Sequence, residues 1–281
     1  MTTLLISQTN GSAHATPSGH VERQERIEAA AKALSHPRFG ALTREMAGPG
    51  DLELAELVHS RKVMDTIRAT RPAEGIGQID PDTFVSSRSL EAAATALGGV
   101  LRGVEAVILG EAHNAFVLAR PPGHHAERDR SMGFCLVNTI AIAARQAQRL
   151  HGAERVAIID FDVHHGNGTQ DIFADDPSVF YASSHQMPLY PGTGAPHEDG
   201  VGNIVNAALP AGSGGAEMRV VYKEQILPAL DNFAPDLILV SAGFDAERRD
   251  PLAQLEWVGS DFAWLTGKLM DIAEKRCSNR L

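Results

Sequence analysis

"RVAIIDFDVHHGNGTQ", residues 155–170, decides the fold. Its first half is a short apolar run rich in β-branched residues. Its second half places Asp160, Asp162, His164 and His165 within six positions. Three other runs have the same form: "NAFVLA" (114–119), "SVFYASS" (178–184) and "DLILVSA" (236–242). Runs that are apolar on both sides and separated by helical patterns read as buried parallel strands. The loops that follow are "RPPGHHAE", "FDVHHGNGT", "HQMPLYPGTG" and "GFDAERRDPL". Ligands of open α/β sheets bind beyond the carboxyl ends of the strands. The pattern therefore predicts an α/β fold with a central parallel sheet and its chemistry on one edge.

Helical periodicity fills the intervals. It predicts helices in "HVERQERIEAAAKAL", in "DLELAELVHSRKVMDTIRA" taken as one, and in "SLEAAATALGGVLRGVEAVILG". Later helices are expected near 137–150, 216–231 and 261–276, with Pro228 bending or ending the second. No linker or repeat divides the chain, so 1–281 is expected to be a single domain. The hydrophobic share of 43% and charged share of 21% fit a globular chain. A net charge of −10 argues against a nucleic-acid surface. The N-terminal stretch carries no signal-peptide pattern, and no run is long enough for a membrane span. Two cysteines, Cys135 and Cys277, fit a reducing, cytoplasmic setting.

Asp162 and His164 stand two apart, so extended backbone points both to one side. Asp245, beyond another strand, can complete a trio. Two carboxylates and an imidazole suit Zn2+ with an open position, and would also accept Fe2+ or another divalent ion. Alone, Asp-Val-His is equally a capped turn; the loaded loops around it favour a metal. Asp160 closes the strand and is expected to be buried, hence paired. It could take a histidine hydrogen bond, bind a monovalent cation, or be purely structural. His124 and His125 can share acid and base work beside a metal. Asn167 could orient an imidazole or simply make a turn.

These residues resemble the zinc-dependent histone deacetylase and acetylpolyamine amidohydrolase superfamily. The matching motifs are "RPPGHHAE", "GFCLVN", "IDFDVHHGNGTQ", "YPGTG" and "SAGFDAERRDPL", in family order across roughly residues 20–255. "SGHVERQERI" resembles an early family segment, with Val21 in place of proline. The wording is nearest the bacterial and class II-like branch. The resemblance implies an arginase/deacetylase-like three-layer fold. It implies Zn2+ on Asp162, His164 and Asp245, His125 as general base and later acid, and His124 as an electrostatic partner bonded to Asp160. Asn167 would position His125. Gly133, Phe134 and Tyr190 would line an acyl channel, with Leu252 at the substrate and Asp80 gripping its backbone from the rim. K+ would sit near Asp160, Asp162, His164, Ser183 and Ser184. A second K+ would use carbonyls of Phe173, Asp176 and Val179. The implied substrate is an acetylated lysine peptide or an acetylpolyamine.

The family usually supplies an oxyanion donor from a Gly-Gly-Tyr loop near the C-terminus. The tyrosines here are Tyr181, Tyr190 and Tyr222, and none follows Gly-Gly. This predicts a C-terminally truncated chain, an impaired deacetylase or an acyl-lysine-binding fragment. An arginase-like binuclear site would need a carboxylate at Gly166, so one catalytic metal is expected.

Overall fold

The computed structural model describes residues 2–8 and 10–281. They form two compact units, one up to Ala147 and the other Gln148–Leu281, each with its own parallel sheet.

The first unit contains β1 (Thr3–Ser7), α1 (Gln24–Leu34), β2 (Thr43–Met46), α2 (Arg61–Thr70), β3 (Ile76–Gln78), β4 (Phe84–Ser86), α3 (Ser89–Ile108), β5 (Asn114–Leu118) and the start of α4 (Thr139–His151). Its sheet runs β2-β1-β5, with β1 parallel to both neighbours. Leu4, Leu5 and Ile6 of β1 are fully buried. The buried stripe of α3 is built from small residues, including Ala92, Ala96, Gly99 and Gly103. Gly99 and Gly103 lie against Val117 and Ile6, so α3 approaches the sheet closely.

Residues 52–70 do not form the single helix expected. A 3-10 stretch, Leu52–Leu57, precedes α2. The reason is tertiary: Ser60 N donates to Arg128 O at 2.8 Å, and His59 Nε2 accepts from Asn138 N at 2.9 Å. Buried polar bonds to the 126–138 segment displace the helical ladder, and Ser60 becomes the N-cap of α2.

The second unit contains β6 (Val156–Asp160), α5 (Asn167–Phe173), β7 (Val179–Gln186), β8 (Ile204–Leu209), α6 (Gly215–Val221), α7 (Leu227–Phe233), β9 (Leu237–Ser241) and α8 (Gly259–Cys277). Its sheet runs β8-β7-β6-β9 with every pair parallel. All of β6 and β7 is buried, which is why their sequences read as unbroken apolar runs. Pro228 does not end the helical run. A π-helical turn, Tyr222–Ile226, widens the backbone and seats Pro228 in the first turn of α7, where its missing N–H is harmless. Phe161, Phe180, Trp257, Phe262 and Leu265 anchor the core.

Parallel register aligns the ends of these strands. Asp160 is level with Ser183 of β7 and Ser241 of β9. The loops after β6, β7 and β9 thus leave one edge of this sheet. No helix among the described residues is long and apolar enough to cross a membrane.

Candidate functional site

Adjacent strands β6 and β9 deliver the trio read from sequence. The ligand atoms of Asp162, His164 and Asp245 all lie within 4.8 Å of one another. His164 Nδ1 stands 3.0 Å from Asp162 Oδ1 and 3.0 Å from Asp245 Oδ2. Loop backbone orients both carboxylates: His164 N donates to Asp162 Oδ1 at 2.8 Å, and Val163 N to Asp245 Oδ1 at 2.9 Å. Ligands of a tetrahedral ion at 2.0–2.2 Å sit about 3.4 Å from each other, a spacing between the 3.0 Å His164–carboxylate distances and the 4.8 Å outer limit of the trio. Among the described residues it is the one such cluster of three.

The electrostatics also call for a cation. Burial pushes the Asp245 carboxyl up to about 6, and the neighbouring Asp162 charge adds to the shift. Burial alone would lower His164, but hydrogen bonds to Asp162 and Asp245, and their charges, raise it to about 10. Two facing carboxylates thus hold a proton on the imidazole. A divalent ion would satisfy the same charge and leave a coordination position open. The donor set fits such an ion.

Behind the trio, Asp160 is fully buried. Its Oδ1 accepts from Asp162 N at 3.2 Å and its Oδ2 from Tyr181 OH at 3.1 Å. Burial, then the Asp160 charge, pushes the Tyr181 hydroxyl well above the usual tyrosine value. Asn167 is buried, opens α5, and donates its N–H to His165 O at 2.9 Å. Tyr190 meets the His164 ring edge-on, centroids 6.3 Å apart, and is 38% exposed. Leu252 is half-buried, its N–H bonded to Asp250 at 2.9 Å.

Two side-chain arrangements lie where the resemblance implies K+. Successive strand residues face opposite sides of a sheet. The Ser183 hydroxyl pairs with His185 Nδ1 at 2.9 Å, whereas that of Ser184 pairs with Tyr222 OH at 2.9 Å. The two hydroxyls therefore face opposite sides of the sheet. The carbonyls of Phe173, Asp176 and Val179 do converge, but on Asn203 Nδ2, at 2.9, 2.9 and 2.8 Å. An amide nitrogen thus meets the three carbonyls that the resemblance assigns to a second K+.

In the first unit, the rings of His124 and His125 are 4.0 Å apart, tilted by 43°, and both are buried. The loop carrying them starts at Arg120, whose guanidinium is buried against Glu22 and donates to Gly11 O at 2.7 Å. His125 N donates to Cys135 Sγ at 3.4 Å. Gly133 backs onto the His125 ring, and Phe134 follows at φ 68°, a conformation rare for a bulky residue. Thr83 holds that backbone: Phe134 N donates to its Oγ1 at 3.1 Å. His20 packs edge-on against Phe134 and Phe84 at 5.0 and 5.2 Å. Asp80 caps its own turn, accepting from Thr83 N at 2.7 Å, and borders a cleft of about 290 Å³ with Lys62, Asp129 and Arg130. His20 lies in the "SGHVERQERI" segment noted above, whereas neither spacing nor periodicity marks Thr83.

A Histone deacetylase domain model matches residues 20–281. The chain is 42% identical over 265 residues to an uncharacterised protein of Synechocystis sp., covering 92% of this chain and 86% of that one. It is 38% identical over 282 residues to histone deacetylase 10, chloroplastic, of Oryza sativa subsp. japonica, covering 93% of this chain and 64% of that protein. The crystal structure of the HDA15 HD domain superposes with a TM-score of 0.91 and 33% identity, covering 98% of this chain and 82% of that one. By its sequence and its arginase/deacetylase-like α/β fold, the chain belongs to the histone deacetylase family.

Proposed function

We propose that the chain hydrolyses the amide of an acetylated amine, an acetyl-lysine peptide or an acetylpolyamine, with Zn2+ held by Asp162, His164 and Asp245. The observation that carries this is the convergence of those three ligand atoms, two carboxylates and an imidazole, within 4.8 Å. When bound, Zn2+ supplies Lewis acidity towards a carbonyl and lowers the pKa of a coordinated water.

The remaining work falls to the chain. His125 would take a proton from the attacking water and return it to the leaving amine. Two buried rings 4.0 Å apart support this reading, because they place two imidazoles side by side. His124 would be the electrostatic partner and Asn167 would position His125. Gly133, Phe134, Tyr190 and Leu252 would shape the acyl channel, and Asp80 the rim. A K+ near Asp160, Asp162, His164 and Ser183 is part of the proposal, supported by the fully buried Asp160 carboxylate. A chain with two cysteines, too few for a disulfide framework, supports a reducing, cytoplasmic setting.

A second reading, acyl-lysine binding with slow turnover, is favoured by the fate of the tyrosines. Tyr181 and Tyr222 are fully buried and bonded to Asp160 and Ser184, so neither is free to serve an oxyanion. Acetate release from acetyl-lysine peptides and acetylpolyamines, with hydroxamate binding measured alongside, separates the two. Turnover of either substrate class supports hydrolysis. Tight hydroxamate binding without acetate release supports the second reading.

A further inference from the structure

The metal-ligand turn and the loop carrying Tyr190 are tied to one carboxylate. Glu198 Oε1 accepts from Gly194 N and Ala195 N at 3.1 and 2.9 Å. Its Oε2 accepts from Gln170 Nε2 at 2.7 Å and also from Gly194 N at 3.1 Å. Because the Gln170 amide is spent on Glu198, its Oε1 must face the other way, where it meets His165 Nε2 at 3.0 Å and Asn206 Nδ2 at 2.7 Å. A carboxamide oxygen only accepts, so His165 carries its proton on Nε2. Its Nδ1 then accepts from the Thr193 hydroxyl at 2.7 Å, in the Tyr190 loop. His165 is the residue after the ligand His164 and is 1% exposed. Every polar atom of its ring is therefore committed, to α5 on one side and to the loop on the other.

The loop backbone leaves no slack. Gly194 has φ +90°, and a Cβ there would lie 2.5 Å from His185 Nε2 and 2.6 Å from His165 Cγ. His185 Nε2 pairs with Gly194 O at 3.0 Å, and its Nδ1 pairs with Ser183. The loop thus lies flat on two buried imidazoles while Glu198 gathers its N–H groups.

We propose that Glu198 is a positioning residue: through Gln170 and His165 it holds the His164 turn, and through Gly194 and Ala195 it holds the Tyr190 loop in register with it. Partners behind a ligand typically change metal affinity about 10–100-fold when removed. The inference rests on the zinc reading proposed above and assigns a residue to it that touches neither metal nor substrate.

The test is zinc affinity, measured by chelator competition on the full chain, for Glu198→Gln, Thr193→Val and, as control, the exposed His197→Ala. Glutamine turns an N–H donor towards N–H groups at a site built for two acceptor oxygens. Glu198→Gln is expected to weaken zinc binding about tenfold or more, and to raise KM for the acetylated substrate more than it lowers kcat. Thr193→Val, on the exposed loop, removes only the donor to His165 and is expected to cost a smaller factor of about three. His197→Ala is expected to match the unsubstituted chain. If Glu198→Gln fails to fold, Thr193→Val still decides. Zinc affinities within twofold of the unsubstituted chain in the folded variants overturn the Glu198 role alone. An unsubstituted chain that binds no zinc overturns the zinc reading, and this inference with it.

Discussion

Gly133→Ala separates backbone strain from the demands of the His125 ring. Gly133 sits at φ +58°, where an L-residue costs roughly 1–2 kcal/mol. Its Cβ would also lie 2.5 Å from His125 Cδ2, 2.6 Å from Cγ and 2.7 Å from Cβ. Carbon atoms rest about 3.5–4.0 Å apart, so the ring or the Gly133–Phe134 backbone must give by roughly 1 Å. Displacements of that size in a catalytic constellation can cost about 10²-fold in rate. The control is Gly110→Ala. Gly110 has φ +76° and nothing within 4 Å of the added carbon, so it carries the strain without the collision. Each kcal/mol of strain lowers Tm by about 2–4 °C, so both variants should melt a few degrees early. In a continuous acetate-release assay, Gly110→Ala should keep its kcat/KM, and Gly133→Ala should lose about two orders of magnitude. If Gly133→Ala stays within threefold of Gly110→Ala, the ring needs neither this place nor this glycine, and the role given to His125 fails.

Acid should destabilise the chain through two buried histidines. Burial lowers His185 to about 4, and burial with the charges of Arg120 and His20 lowers His14 to about 3. Their folded values lie below the unfolded value of about 6.5, so the unfolded state binds protons first as pH falls. Stability is complete above pH 6.5 and declines below it, on the order of 2 kcal/mol for each histidine by pH 5, levelling off only near the folded values. Urea midpoints across pH 7–5 check this; a His14→Gln variant with the same slope as the unsubstituted chain would refute it. Asn203→Ala strips the shared donor from the carbonyls of Phe173, Asp176 and Val179. Phe173 O and Asp176 O keep their backbone donors, Asp176 N and Val179 N, so the loss is that of three hydrogen bonds, about 0.5–1.5 kcal/mol each; Tm should fall, and added K+ should recover part of the loss in this variant only. A K+-dependent Tm in the unsubstituted chain that Asn203→Ala abolishes would contradict the filled cradle.

The sequence disclosed what chemistry crowds into one place. Buried strands β6 and β7 had to be apolar on both faces, and metal-competent side chains had to follow β6 and β9 at once; β5, at a sheet edge with Phe116 exposed, is less buried than its apolar run suggests. The Asp162–His164 spacing could be read because extended backbone fixes the direction of residues two apart. Other parts left no mark. β2 is mostly exposed and reads as polar coil, while β8 carries Asn206 in its middle because that amide bonds to Gln170. The break before α2 depends on Arg128 and Asn138, about seventy residues away in sequence, which a local period cannot register. The Gln170–Glu198 bond and the Asn203 cradle join residues with no common spacing. They were invisible because adjacency in sequence is not adjacency on a face: the hydroxyls of neighbours Ser183 and Ser184 bond to different partners, His185 and Tyr222.

Zinc titration of the chelator-stripped chain, read as acetate release against zinc added, tests the central claim most directly. Return of activity that saturates at one equivalent, and is absent from His164→Ala, is the predicted result. Hydrolysis that persists without metal, or that rises to saturation only at two equivalents, would contradict a single ion on Asp162, His164 and Asp245.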